Sequence, residues 1–303
     1  MSVVDLTIIL TGIAKTTAPL LFAATGEYVA ERAGTLNISI EAMMLAGAYF
    51  GMLGAEVGGS AAIGLPLGIF AGFVVAFVHA NFSHRLAANT FVVGLTLDAL
   101  LLGLTDYFVT AHQLAPHQIA QTRVPLLGAI PAVGPSIFDQ AWPFYLLFAI
   151  VPLAWWLLER SQWGLEVRAS GENPAAADAT GVQVNKRRRQ ALYLCGALSG
   201  LGGAFLSLCE VGQFTEDMTA GIGFVVIAAV IFGGWTMRGT ILGCLLFGAA
   251  QAMGLVLPAL GRSLNGELLL ALPYLAALGA MIFLAKSYRA PRALAQPFTR
   301  GVA

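Results

Sequence analysis

Charge is scarce in this chain. Only 11% of its 303 residues are charged, against roughly 25% in soluble globular domains, while 58% are hydrophobic. Its 16 basic and 16 acidic residues cancel, which argues against nucleic acid, a ligand that demands a clustered basic face. The three cysteines, Cys195, Cys209 and Cys244, have neither zinc-like spacing nor a C-x-x-C pair and read as reduced packing residues. The four histidines do not pair at ligand spacing, so no metal and no cofactor is expected. No catalytic signature of the H-E-x-x-H, G-x-S-x-G or G-x-G-x-x-G type occurs. A phosphate-cradling G-x-x-x-x-G-K-[ST] loop is excluded because none of the three lysines follows a glycine. The chain is therefore not expected to be an enzyme. If it moves anything uphill, an ion gradient or a separate ATP-hydrolysing chain must supply the energy.

What is present is apolar length. Mean hydropathy is +0.79, and a bilayer-crossing helix needs about 20 mostly apolar residues. Nine candidate spans follow: one within 6–33, poorly bounded because Lys15 and Glu27 interrupt it, then 38–57, 61–80, 89–110, 137–158, 190–209, 221–235, 239–260 and 267–285. The expected fold is all-α and polytopic, a single transmembrane domain over 1–303, with a polar loop over 161–189. The N-terminal MSVVDLTIIL has no basic residue before its apolar stretch and no small-residue cleavage site, so removal as a signal peptide is not expected.

Basic residues orient the spans. Arg160, Arg168 and Lys186 to Arg189 put the 161–189 loop in the cytoplasm, and Lys286, Arg289, Arg292 and Arg300 put the C-terminus there too. The N-terminus then lies outside, and the acidic turn at 210–220 lies outside as well. Spans one to four and six to nine run in opposite directions around a connecting fifth, the arrangement of an inverted repeat. GTLNISIEAMMLAGAYFG (34–51) and TAGIGFVVIAAVIFGGW (219–235) support it, each a small-residue apolar helix after a polar break. Gly64, Gly68 and Gly72, with Gly47 and Gly51, and Gly196 and Gly200, recur at the four-residue spacing that brings helix backbones together.

The 170–190 stretch, SGENPAAADATGVQVNKRRRQ, interrupts this pattern. Asn173 can cap a helix, Pro174 fits its first turn, and Gly181 can end it. Two turns of helix with a bare alanine face are marginal alone in water and suited to docking in a groove of another protein. Lys186 to Arg189 are expected to anchor the next span at the anionic inner leaflet.

The segment W-G-L-E-V-R-A-S-G-E-N-P-A-A-A-D-A-T-G-V (163–182) resembles the cytoplasmic coupling segment of permease subunits of bacterial ABC importers. The resemblance is to the ribose and branched-chain type, nearest the nucleoside (guanosine-type) and simple-sugar permeases. GEYVAERAGTLNISIEAMMLAGA (26–48) and FTEDMTAGIGFVVIAAVIFGGW (214–235) resemble two further signatures of that group, in family order. Trp235-Thr236-Met237-Arg238 departs from it in a loop. The resemblance implies import of nucleosides or simple sugars across the bacterial inner (plasma) membrane. Its implied partners are a cytoplasmic ABC ATPase, a second homologous permease and an extracytoplasmic substrate-binding lipoprotein. It implies ATPase docking by Arg168, Gly171, Glu172, Asn173, Pro174, Ala176, Ala177 and Gly181.

Polar residues beside helix breaks are the natural lining of a solute path, because irregular backbone at membrane depth must face protein or water. These are Asn37, Asn89, Thr90, Thr96, Asp98 and Gln251, with Phe91 offering a face to a base or sugar. Hydrogen bonds between helices account for several of them equally well. Asp98, the one carboxylate at mid-span depth, also leaves open an ion-coupled transporter.

Overall fold

The computed structural model describes residues 3–122, 133–260 and 289–299, with residues 128, 271, 275 and 279. Helices account for nearly all of the regular structure among them. They are α1 Val3–Arg32, α2 Ile40–Gly58, α3 Ala61–His84, α4 Thr90–Ala111 and α5 Val133–Phe138, then α6 Leu147–Arg160, α7 Gln162–Glu172 and α8 Pro174–Ala179, and finally α9 Val184–Phe205, α10 Ile222–Phe232 and α11 Met237–Ala259. A 3-10 turn over Trp142–Leu146 leads into α6, and a π-helical turn over Leu206–Val211 extends α9.

Seven of these helical stretches are long and apolar enough to cross a membrane. The expected span at 221–235 is α10, only 11 residues and too short to cross alone. The ninth, 267–285, lies outside the described residues apart from 271, 275 and 279. The first span needs correction. Lys15 and Glu27 do not interrupt it, and α1 runs unbroken for 30 residues, about 45 Å. Glu27 and Glu31 are fully buried within it because other segments supply donors to both.

Glycine and alanine set the centre of the bundle. At Gly47 an added Cβ would lie 2.6 Å from the Cα of Gly200, and at Gly72 the same distance from that atom. Helices α2, α3 and α9 therefore meet backbone to backbone around Gly200, as their four-residue glycine spacing predicts. Phe22 of α1 and Phe205 of α9 pack with ring centroids 5.8 Å apart and seal the adjoining seam.

The helices alternate between two ends. At one end the Ala293 amide bonds the Gly171 carbonyl and the Ala295 amide bonds that of Gly34, beside the Thr35–His84 contact. At the other, His117 N–H reaches the Gly212 carbonyl at 3.0 Å, and His112 pairs with Glu56 at 3.1 Å.

Candidate functional site

Two helices begin inside the bundle. After α1 the chain turns at Gly34, and residues 35–39 run back along α1 as irregular backbone before α2 starts. Such backbone at membrane depth needs partners from protein, and four helices, α1, α3, α4 and α9, provide them. Glu27 accepts from the Asn37 side chain at 3.0 Å and its amide at 3.2 Å. Cys195 of α9 donates to the same carboxylate at 3.3 Å. Ser39 donates to Asn37 Oδ1 at 2.9 Å and touches His79 Nδ1 at 2.6 Å, and His79 Nε2 contacts Thr90 at 2.8 Å. Thr90 also bonds the Leu36 carbonyl. Asn37, Ser39, His79 and Thr90 are all buried.

The N-terminus of α2 has no side-chain cap of its own. Asp98 of α4 takes that role, accepting the Ala42 amide at 2.9 Å. Glu41 in turn caps α10, accepting the amides of Gly221 at 2.8 Å and Gly223 at 2.6 Å. Two helix N-termini, each with orphan amides and positive dipole ends, are thus satisfied by two carboxylates at one junction. From it α2 and α10 run to opposite ends of the molecule, since Glu56 of α2 reaches His112 whereas Trp235, just past α10, donates to Glu31. The two sequence blocks read as a repeat therefore meet here, pointing in opposite directions.

Of the residues expected to line a path, Asn37 and Thr90 belong to the packed network and Asp98 to the junction. Asn89 caps α4, accepting the Phe91 amide at 2.9 Å. Phe91 is half exposed, and Thr96, bonded to its own helix at Val92, is exposed on the same helix. Gln251 is half-buried on α11, apart from them. Glu41, Glu27 and His79 are the polar residues that sequence reasoning missed. Glu41 was visible as a carboxylate opening an apolar helix, but its partners lie 180 residues on. An apolar cavity of about 560 Å³ between α1, α6 and α11, walled by Ile13, Phe144, Phe148 and Leu245, does not reach the junction.

The short helix expected within 170–190 forms as its residues predict. Asn173 accepts the Ala176 amide at 3.0 Å, Pro174 opens α8, and Gly181 sits at φ +92 beyond its end. Ala175, Ala176 and Ala179 are exposed, as are Glu172 and Asn173, while Ala177 is buried beneath them. Arg168 and Gly171 face inward. Arg168 pairs with Glu159 of α6 at 2.7 Å, and Glu159 also takes the Tyr28 hydroxyl at 3.0 Å. Gly171 is buried, and an added Cβ there would lie 3.0 Å from the Gly34 amide. These two residues seat the segment, whereas α8 presents it.

Residues 9–285 match the family described as branched-chain amino acid transport system / permease component. The chain belongs to this family. This permease is similar over nearly its whole length to named relatives. It is 33% identical to a putative glucose ABC transporter permease, TsgC13, of Haloferax volcanii, covering 93% of this chain and 94% of that one. It is 30% identical to the guanosine ABC transporter permease NupQ of Bacillus subtilis, covering 94% of each chain. It is 34% identical to the nucleoside ABC transporter permease NupC of Lactococcus lactis, covering 84% of this chain and 85% of that one. The permease is a multi-pass membrane protein, and none of these three relatives is named as ion-coupled.

Proposed function

We propose that this permease is the membrane subunit of an ABC importer for nucleosides, with simple sugars the neighbouring substrate class. ATP hydrolysis in a separate cytoplasmic subunit drives it, a second homologous permease completes the path, and an extracytoplasmic binding protein delivers the solute. The observation that carries this reading is the outward face of α8. It is bare alanine, capped by Asn173, and it projects from a base fixed by Arg168 and Gly171. A short helix with so firm a base suits the groove of a motor protein. Family membership and the nucleoside names of two relatives support the same reading. The basic residues Arg160, Arg168 and Lys186 to Arg189 favour the cytoplasm for this end, with the N-terminus outside.

In this reading the solute passes along the outward side of α4, by Asn89, Phe91, Thr96 and Asp98, with Gln251 on the far wall. Phe91 offers a ring to a base, and half-buried Asp98, whose Oδ2 has no hydrogen-bond partner among the described residues, offers an acceptor to a hydroxyl. Asn37 and Thr90 hold the wall from behind. The test is uptake of labelled guanosine, inosine, ribose and glucose by the reconstituted complex. Nucleoside uptake that needs ATP supports the reading, and uptake of none of the four overturns it.

A further inference from the structure

Arg188 is one of four consecutive cations, yet its side chain is fully buried. Its guanidinium meets only backbone carbonyls among the described residues. Nε donates to Ala33 at 3.1 Å, Nη1 to Gln296 at 2.6 Å, and Nη2 to Ser170 at 3.1 Å and Ala293 at 3.4 Å. Ala33 lies just past the C-terminus of α1, and Ser170 is in the last turn of α7. Carbonyls at helix C-termini carry partial negative charge and lack intrahelical partners, so they suit a buried cation. The other two acceptors belong to the 289–299 tail.

That tail is tied down independently. The Ala293 amide donates to Gly171 at 2.9 Å and the Ala295 amide to Gly34 at 3.1 Å. Asn185 holds the Phe298 carbonyl at 3.1 Å. Ala295 sits at φ +62, a conformation an alanine keeps only where its surroundings dictate it. Gly34, at φ +90, is the crossing point. An added Cβ would lie 2.8 Å from Arg188 Nη2, 3.1 Å from Gly171 Cα and 3.2 Å from the Ala293 carbonyl oxygen.

We propose that Arg188 is a positioning residue that clasps α1, the coupling segment and the C-terminal tail into one rigid foot. A displacement of α8 then passes through Ser170 and Gly171 to the end of α1. From α1 it reaches the packed network at Asn37 and the end of α10, because Glu27 holds Asn37 and Glu31 holds Trp235 beyond α10. The role assigned to the foot rests on the docking reading above, while the clasp itself does not.

The test uses the assembled complex in nanodiscs with Arg188→Gln, Arg188→Lys, a chain ending at Tyr288, and the Arg188→Gln change in that shortened chain. Both substitutions and the truncation should keep basal ATP hydrolysis and lower the solute moved per ATP by about tenfold. The combined variant should be no worse than either alone, since both changes break one device. Hydrogen exchange at Ala293 and Ala295 should accelerate in Arg188→Gln. If Arg188→Gln fails to reach the membrane, the truncation decides, because it leaves α9 untouched. Unchanged stoichiometry in the truncated chain, or losses that multiply in the combined variant, would overturn the proposal. Accelerated exchange alongside transport indifferent to Ala176→Arg would instead leave the clasp standing and remove the docking reading.

Discussion

The carboxylate of Glu41 takes the backbone amide of Gly223 at 2.6 Å across 182 residues of sequence. With its second bond, to Gly221, it closes the start of α10, where the Gly223 amide is buried. Glu41→Ala should leave both amides unsatisfied, at about 1–3 kcal/mol each. Thermal unfolding in detergent should show a clear fall in midpoint, with Glu41→Gln intermediate because one carbonyl oxygen survives. An unchanged midpoint in Glu41→Ala would mean that these bonds do not hold α10.

Asp98 separates two mechanisms. As an acceptor for Ala42 it needs an oxygen but no charge. Asp98→Asn should therefore keep most of the uptake, and Asp98→Ala should lose it along with about 1–3 kcal/mol of stability. A coupling carboxylate would behave differently, with Asn as damaging as Ala. Uptake rates and unfolding midpoints for the two variants distinguish these cases.

Gly47 faces Gly200 too closely for a side chain. Gly47→Val should separate α2 from α9, with an overpacking cost of about 1–3 kcal/mol or more. The amount of chain recovered from membranes should drop sharply, whereas Gly59→Ala, in open space at φ +66, should act only through backbone strain.

Much of this fold is legible in the sequence. The spans predicted over 38–57, 61–80 and 89–110 correspond to α2, α3 and α4, because apolar runs bounded by glycine and polar breaks have few other readings. The short helix α8 was legible to the residue: Asn173, Pro174 and Gly181 each do what their local chemistry allows. What escaped depends on distant partners. Arg188 looks like its neighbours in a basic run, and only the tail, over 100 residues away, makes it an internal clasp. Glu27 looked like an interruption of α1 because its donors, Asn37 and Cys195, come from other elements. Arg168 and Gly171 resemble docking residues by motif, yet their side-chain and backbone contacts turn inward.

Ala176 has no such inward role, so it isolates docking. Ala176→Arg should leave the chain folded, since the residue is exposed, and should abolish capture of the ATPase. Co-purification of the two subunits from membranes reads this directly, and Leu165→Arg, an exposed residue on α7, serves as a control for added charge.

The most direct test of a passive gate worked by a separate motor is nucleoside uptake into proteoliposomes, with ATP supplied on the coupling-segment side and ion gradients collapsed by ionophores. The account predicts guanosine uptake that requires ATP, ignores the ionophores and vanishes in Ala176→Arg. Uptake by this chain alone, powered by an ion gradient without any nucleotide-hydrolysing partner, would contradict it.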